Sequence, residues 1–163
     1  MASVLFVCMA NRFRSPLAAA IFSKALGDHQ QPGPWLVSSA GTWAVPGQPV
    51  LPQVQHAARH LGLDLSGHRS SRIARQHLVE NDLVLVMQAG QQEALVSEFP
   101  GFGESIQLLS WVAEGRMYDI LDDDGSGQAV TALAAELDSL LRHGLEPICT
   151  LAAHLHEIKQ PHG

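Results

Sequence analysis

The chain has 163 residues, 46% of them hydrophobic and 16% charged. At about 100–200 residues per domain this is a single domain spanning 1–163, too apolar for a disordered chain. A formal net charge of −6 and a lysine complement of only Lys24 and Lys159 argue against nucleic-acid binding and against a polybasic membrane anchor.

Cysteine usage points the same way. Cys8 and Cys149 cannot form a disulfide framework, and such thiols fit the reducing cytoplasm. The apolar run from Val4 to Ala10 has no basic residue before it and is broken by Asn11 and Arg12, so no signal peptide is expected. No apolar stretch reaches the roughly 18 residues of a membrane span. A cytoplasmic, monomeric protein is the expectation.

The elements alternate along the chain. Val4-Leu5-Phe6-Val7 reads as a strand buried on both faces. The polar turn Asn11 to Ser15 follows, and Pro16 opens a helix carrying Leu17, Ala20 and Ile21. Trp35 to Ser39 reads as a second strand, ended by Ala40-Gly41. A helix beginning near Pro49 or Pro52 carries Val54, Ala57, Ala58 and Leu61 and stops at Gly62. Asp82 to Met87 and Ile106 to Leu109 are the third and fourth strand-like runs. Val130, Leu133, Leu137, Leu140 and Leu141 mark a long helix stopping at Gly144; a last one starts at Pro147 and carries Ile148, Leu151, Leu155 and Ile158. Strands alternating with helices predict an α/β fold: one small doubly wound domain, a four-stranded parallel sheet with helices on both faces.

Ligands of such folds bind beyond the carboxyl ends of the strands, where the first strand delivers Cys8. The segment Cys8-Met9-Ala10-Asn11-Arg12-Phe13-Arg14-Ser15 joins a strand to a helix N-terminus, where unpaired amides and the helix dipole favour an anion. If residues 9–14 (Met9, Ala10, Asn11, Arg12, Phe13 and Arg14) wrap in a semicircle, their N–H groups make a cradle for a tetrahedral oxyanion. Arg14 supplies a planar fork suited to two phosphate oxygens, and Ser15 is placed to donate its hydroxyl to the Cys8 thiolate. A lone cysteine ending a strand is more often a core residue. The C-x5-R-S spacing at a strand-to-helix junction outweighs that reading.

Here the sequence resembles the low-molecular-weight protein tyrosine phosphatases. The likeness rests on Val-Leu-Phe-Val-Cys at 4–8, Asn11, and Arg14-Ser15-Pro16-Leu17-Ala18. It continues through Ser39-Ala40-Gly41-Thr42, Gly62-Leu63-Asp64 to His68, and Asp82 to Met87. The resemblance implies a cofactor-free and metal-free phosphomonoesterase that forms a phosphocysteine on Cys8. Its substrates would be phosphorylated proteins or small aryl phosphates, with inorganic phosphate or a similar oxyanion also bound. It further implies that Asn11, Ser39 and His68 support the phosphate loop, and that Asp122 is the general acid. Asp123 is the neighbouring alternative for that acid. Trp43, just past the second strand, is a candidate for the pocket rim, as are Asp123 and Asp124; packing is the alternative for Trp43.

Several positions depart from the family pattern. Asp123 and Asp124 stand where the family has Pro and an aromatic residue. Phe13 replaces a common second cysteine, and Gln88 follows Met87 where an acid is frequent. Arg12 stands where tyrosine phosphatases carry an aliphatic residue and arginine phosphatases Thr. A phosphoarginine phosphatase is therefore one alternative function. A weakly active module that binds phosphate or a phosphoprotein is another. Arsenate reduction coupled to thioredoxin is not expected, because it needs further cysteines and only Cys149 is available. Asp122 to Gly125 fails as a calcium loop on ligand spacing. Arg69, Arg72 and Arg75 recur every three residues and read as a solvated basic face.

Overall fold

In the computed structural model, which describes residues 1–122 and 127–160, a four-stranded sheet has the order β2-β1-β3-β4. Its strands are β1 (Ala2–Cys8), β2 (Trp35–Gly41), β3 (Leu83–Val86) and β4 (Ile106–Leu108), and every neighbouring pair is parallel. The helices are α1 (Arg14–Asp28), α2 (Pro52–His60), α3 (Arg75–Glu80), α4 (Ala89–Glu98), α5 (Leu109–Glu114), α6 (Gly127–His143) and α7 (Leu145–Lys159). The expected α/β fold with a four-stranded parallel sheet is observed.

Alternation along β1 builds two cores. Val4, Phe6 and Cys8 face one side with Leu83, Leu85 and Met87, against α1, α5, α6 and α7. Leu5 and Val7 face the other with Val84, Val86, Ile106 and Leu108, against Leu78 of α3 and Leu95 of α4. Burial on both faces explains why these strands read as continuous apolar runs rather than as alternating ones. Phe6 and Phe22 meet edge to face at 5.5 Å and tie α1 to the sheet.

The structure moves several boundaries. α1 starts at Arg14 rather than Pro16, which then lies in the first turn, where its missing N–H costs no hydrogen bond. Leu109 leaves β4 and opens α5, and α7 begins at Leu145 rather than Pro147. Ile158 is 58% exposed, so the apolar face of α7 ends at Leu155. The short helices α3, α4 and α5 lack a clear apolar periodicity and were not expected.

The site follows from strand order. β1 lies between β2 and β3, so chain connections leave its carboxyl end to opposite sides and open a crevice there.

Candidate active site

β1 ends at Cys8, whose buried Sγ lies 3.0 Å from Ser15 Oγ in the first turn of α1. Between them the chain turns through Asn11, which has a left-handed φ of 57° and is completely buried. Asn tolerates that conformation better than most residues, because its short side chain bonds locally. Asn11 Nδ2 donates to Ser15 Oγ at 2.8 Å and to Ser39 Oγ at 2.9 Å, and its Oδ1 accepts the Ser71 amide at 2.9 Å. The Asn11 carbonyl accepts from His68 Nε2 at 2.7 Å, which places a proton on that nitrogen. Asn11, Ser39 and His68 are thus brought together with Ser15 around the loop.

Gly41 closes the loop from behind. A Cβ there would lie 2.5 Å from the Met9 carbonyl and 2.9 Å from the Asn11 nitrogen. The end of β2 therefore has room only for hydrogen, and the Thr42 and Trp43 amides donate to the Cys8 and Met9 carbonyls at 2.9 Å. These bonds use the loop's carbonyls. The amides of residues 9–14 donate to no group among the described residues. α1 starts without a side-chain cap or an acidic residue in its first turn, so its positive end is not neutralised from within.

Arg14 is 2% exposed. Its Nη1 donates to Gln88 Oε1 and to the Ile120 carbonyl, both at 2.8 Å, and its Nη2 lies 3.8 Å from Asp122 Oδ2. Gln88 is held in turn. Gln91 Oε1 accepts the amides of Met87 and Gln88 at 3.1 Å. Neither glutamine's grip was visible in the sequence, where Gln88 showed only as a departure and Gln91 not at all. An uncharged Gln next to a buried arginine is the signal that finds the first.

A cavity of about 140 Å³ is lined by Cys8, Ala10, Arg12, Phe13, Arg14, Leu51 and Asp122. Larger clefts among the described residues, such as those beside Asp82 and beside Ser39, are lined by other residues. Asp122 is 61% exposed at this mouth, whereas Asp119 Oδ1 accepts the Ala89 amide at 2.8 Å and so anchors the start of α4. The two carboxylates have different surroundings. Asp123 and Asp124 lie outside the described residues. Trp43 is 71% exposed and absent from the cavity wall; the Arg72 guanidinium sits 5.4 Å from its ring centre. Arg75 instead covers Phe102, and Arg69 donates to the His68 carbonyl, so the three arginines do not act as one stripe. Cys149 is buried in α7, where burial, with Glu146 adding to it, pushes its thiol up to about 11.

No group of three or more potential metal ligands exists among the described residues. No helix among them is long and apolar enough to cross a membrane.

Comparison with known proteins agrees with this geometry. Residues 3–150 match the family model for low molecular weight phosphotyrosine protein phosphatase. A probable low molecular weight protein-tyrosine-phosphatase, EpsP of Ralstonia nicotianae, is 32% identical over 74% of this chain and 77% of its own. A protein-arginine-phosphatase of Geobacillus stearothermophilus is 31% identical over 90% of this chain and 96% of its own. A crystal structure of a low molecular weight protein tyrosine phosphatase from T. tengcongensis superposes with a TM-score of 0.83 at 30% identity, covering 90% of this chain and 99% of that one. The chain belongs to the low molecular weight phosphotyrosine protein phosphatase family and is a cysteine phosphatase of that family.

Proposed function

We propose that residues 1–163 form one cytoplasmic catalytic unit that hydrolyses phosphate monoesters of the phosphotyrosine type through a phosphocysteine on Cys8. One observation carries this reading. Cys8, Arg14 and Asp122 share a cavity whose floor is a loop of unpartnered amides at a helix N-terminus.

Cys8 Sγ attacks phosphorus, forming the S–P bond as the ester P–O bond breaks. Ser15 Oγ, 3.0 Å away, donates a hydrogen bond to the thiolate and so stabilises it. The amides of residues 9–14 and the Arg14 guanidinium take the charge that spreads over the equatorial oxygens. Because Nη1 is spent on Gln88 and Ile120, the Nε and Nη2 edge of Arg14 remains for bidentate contact with phosphate. Asp122 protonates the leaving oxygen, then takes a proton from the water that cleaves the S–P bond and releases inorganic phosphate. No step needs a metal or cofactor.

The substrate is a phosphorylated protein or a small aryl phosphate. An arginine phosphatase among the relatives keeps phosphoarginine as the second reading. Steady-state assays with phosphotyrosine and phosphoarginine peptides of the same sequence separate them. Faster turnover of the phosphotyrosine peptide is expected; exclusive turnover of phosphoarginine would overturn this assignment.

A further inference from the structure

The cavity wall carries a second cation that catalysis leaves without a task. Arg12 is partly buried there beside Cys8, Phe13, Leu51 and Asp122. Its Nε donates to the Pro49 carbonyl at 2.8 Å, and its own carbonyl accepts the Leu51 amide at 3.3 Å. Side chain and main chain are both fastened to the segment before α2, which limits how far the guanidinium can swing.

Its two terminal nitrogens have no hydrogen-bonding or ionic partner among the described residues, although the chain has 16 acidic residues against 10 lysines and arginines. In an acidic protein, most arginines placed near a carboxylate pair with it. A tethered, partly buried guanidinium with no ionic partner among the described residues leaves two donors that an anionic ligand can engage. Arg14 and the loop amides already serve the scissile phosphate, so the anion left for Arg12 is a second one.

We propose that Arg12 is a specificity-determining residue that selects aryl phosphates bearing a carboxylate next to the phosphorylated group and disfavours cationic leaving groups. This rests on the cavity being the phosphate-ester site. The carboxylate belongs either to a Glu or Asp flanking phosphotyrosine in a peptide or to a small aromatic acid. Both offer Arg12 the same bidentate charge-assisted contact. A phosphoguanidinium brings a positive charge to the same place and is repelled.

The test compares kcat/KM for the wild type, Arg12→Gln and Arg12→Lys. One substrate pair is a phosphotyrosine peptide flanked by Glu and the same peptide flanked by Gln. The other is 3-carboxyphenyl phosphate and phenyl phosphate. Each preference is a ratio measured within one variant, so partial loss of folded protein cancels. The wild type should favour the carboxylate-bearing member about tenfold, the scale of one desolvated charge-assisted contact. Arg12→Gln should bring the ratio near unity, and Arg12→Lys should restore part of it. The wild-type ratio should also shrink as salt rises. Preference in the peptide pair alone assigns an acidic phosphopeptide; preference in the phenyl pair alone assigns a small aromatic acid; either supports the role of Arg12. Equal ratios in the wild type and Arg12→Gln would overturn it while leaving the phosphatase reading intact. No turnover of any of the four substrates would overturn the phosphatase reading, and this inference with it.

Discussion

The two sides of the cavity are built on different terms. The loop of the proposed nucleophile is anchored from many directions. Asn11 alone bonds Ser15, Ser39, Ser71 and His68, and Gly41 presses on the loop from β2. The segment of the proposed acid is held at Ile120, which is 2% exposed, donates to the Met87 carbonyl at 2.8 Å and accepts from Arg14. The next residues, Leu121 and Asp122, both project at 61% exposure. The difference has a physical reason. An oxyanion cradle stabilises charge only if its dipoles are already in place, because reorganising them during reaction would consume the gain. A proton donor has only to meet the leaving oxygen, whose position varies with the substrate. Arg14 joins the two sides, as it lies in the phosphate loop's helix and grips the acid segment's backbone.

The contrast can be broken first at its rigid side. Cys8→Ser should lower turnover about 10⁴-fold or more, because a hydroxyl is a far weaker nucleophile than the thiolate and a poorer leaving group from phosphorus. The cradle and Arg14 remain, so phosphate or vanadate binding measured by calorimetry should persist. Steady-state hydrolysis by the pure variant near the wild-type rate would refute the covalent mechanism.

On the projecting side, Asp122→Asn should cost about 10²–10⁴-fold on phenyl phosphate, the usual worth of a general acid. The loss should shrink on a nitrophenyl ester, whose oxygen leaves without much help. Asp119→Asn should show no such dependence on the leaving group, since its carboxylate holds the start of α4 rather than facing the cavity. If the dependence appears in Asp123→Asn instead, the acid is the next residue along.

The smallest expected effect concerns the anchoring itself. Gly41→Ala sets a methyl against two main-chain atoms of the loop, which cannot swing aside as a flexible side chain would. Overpacking of this kind costs about 1–3 kcal/mol, which urea unfolding should register as a lower midpoint. Phosphate affinity should fall with it. Unchanged stability and affinity together would mean that the loop is looser than its bonding implies.

Much of this protein was written in local patterns. Continuous apolar runs announced the buried strands, because a parallel strand covered on both faces needs no polar alternation. The grouping of Cys8, Asn11 and Ser15 in the turn after β1 was legible because these residues lie close together along one stretch of chain. Helices α3, α4 and α5 were not legible: α3 and α5 have six residues each, too few for a period to stand out, and the ten residues of α4 bury only Gln91 and Leu95, which make no apolar face. Tertiary structure alone decided how distant segments meet. It set Gln88 and Ile120 on Arg14, fastened Arg12 to Pro49, and gave Asp119 and Asp122 different surroundings although only two residues separate them. Those contacts join residues far apart in sequence, and no local periodicity or propensity encodes such a meeting; it arises when the strands align and their carboxyl ends come together.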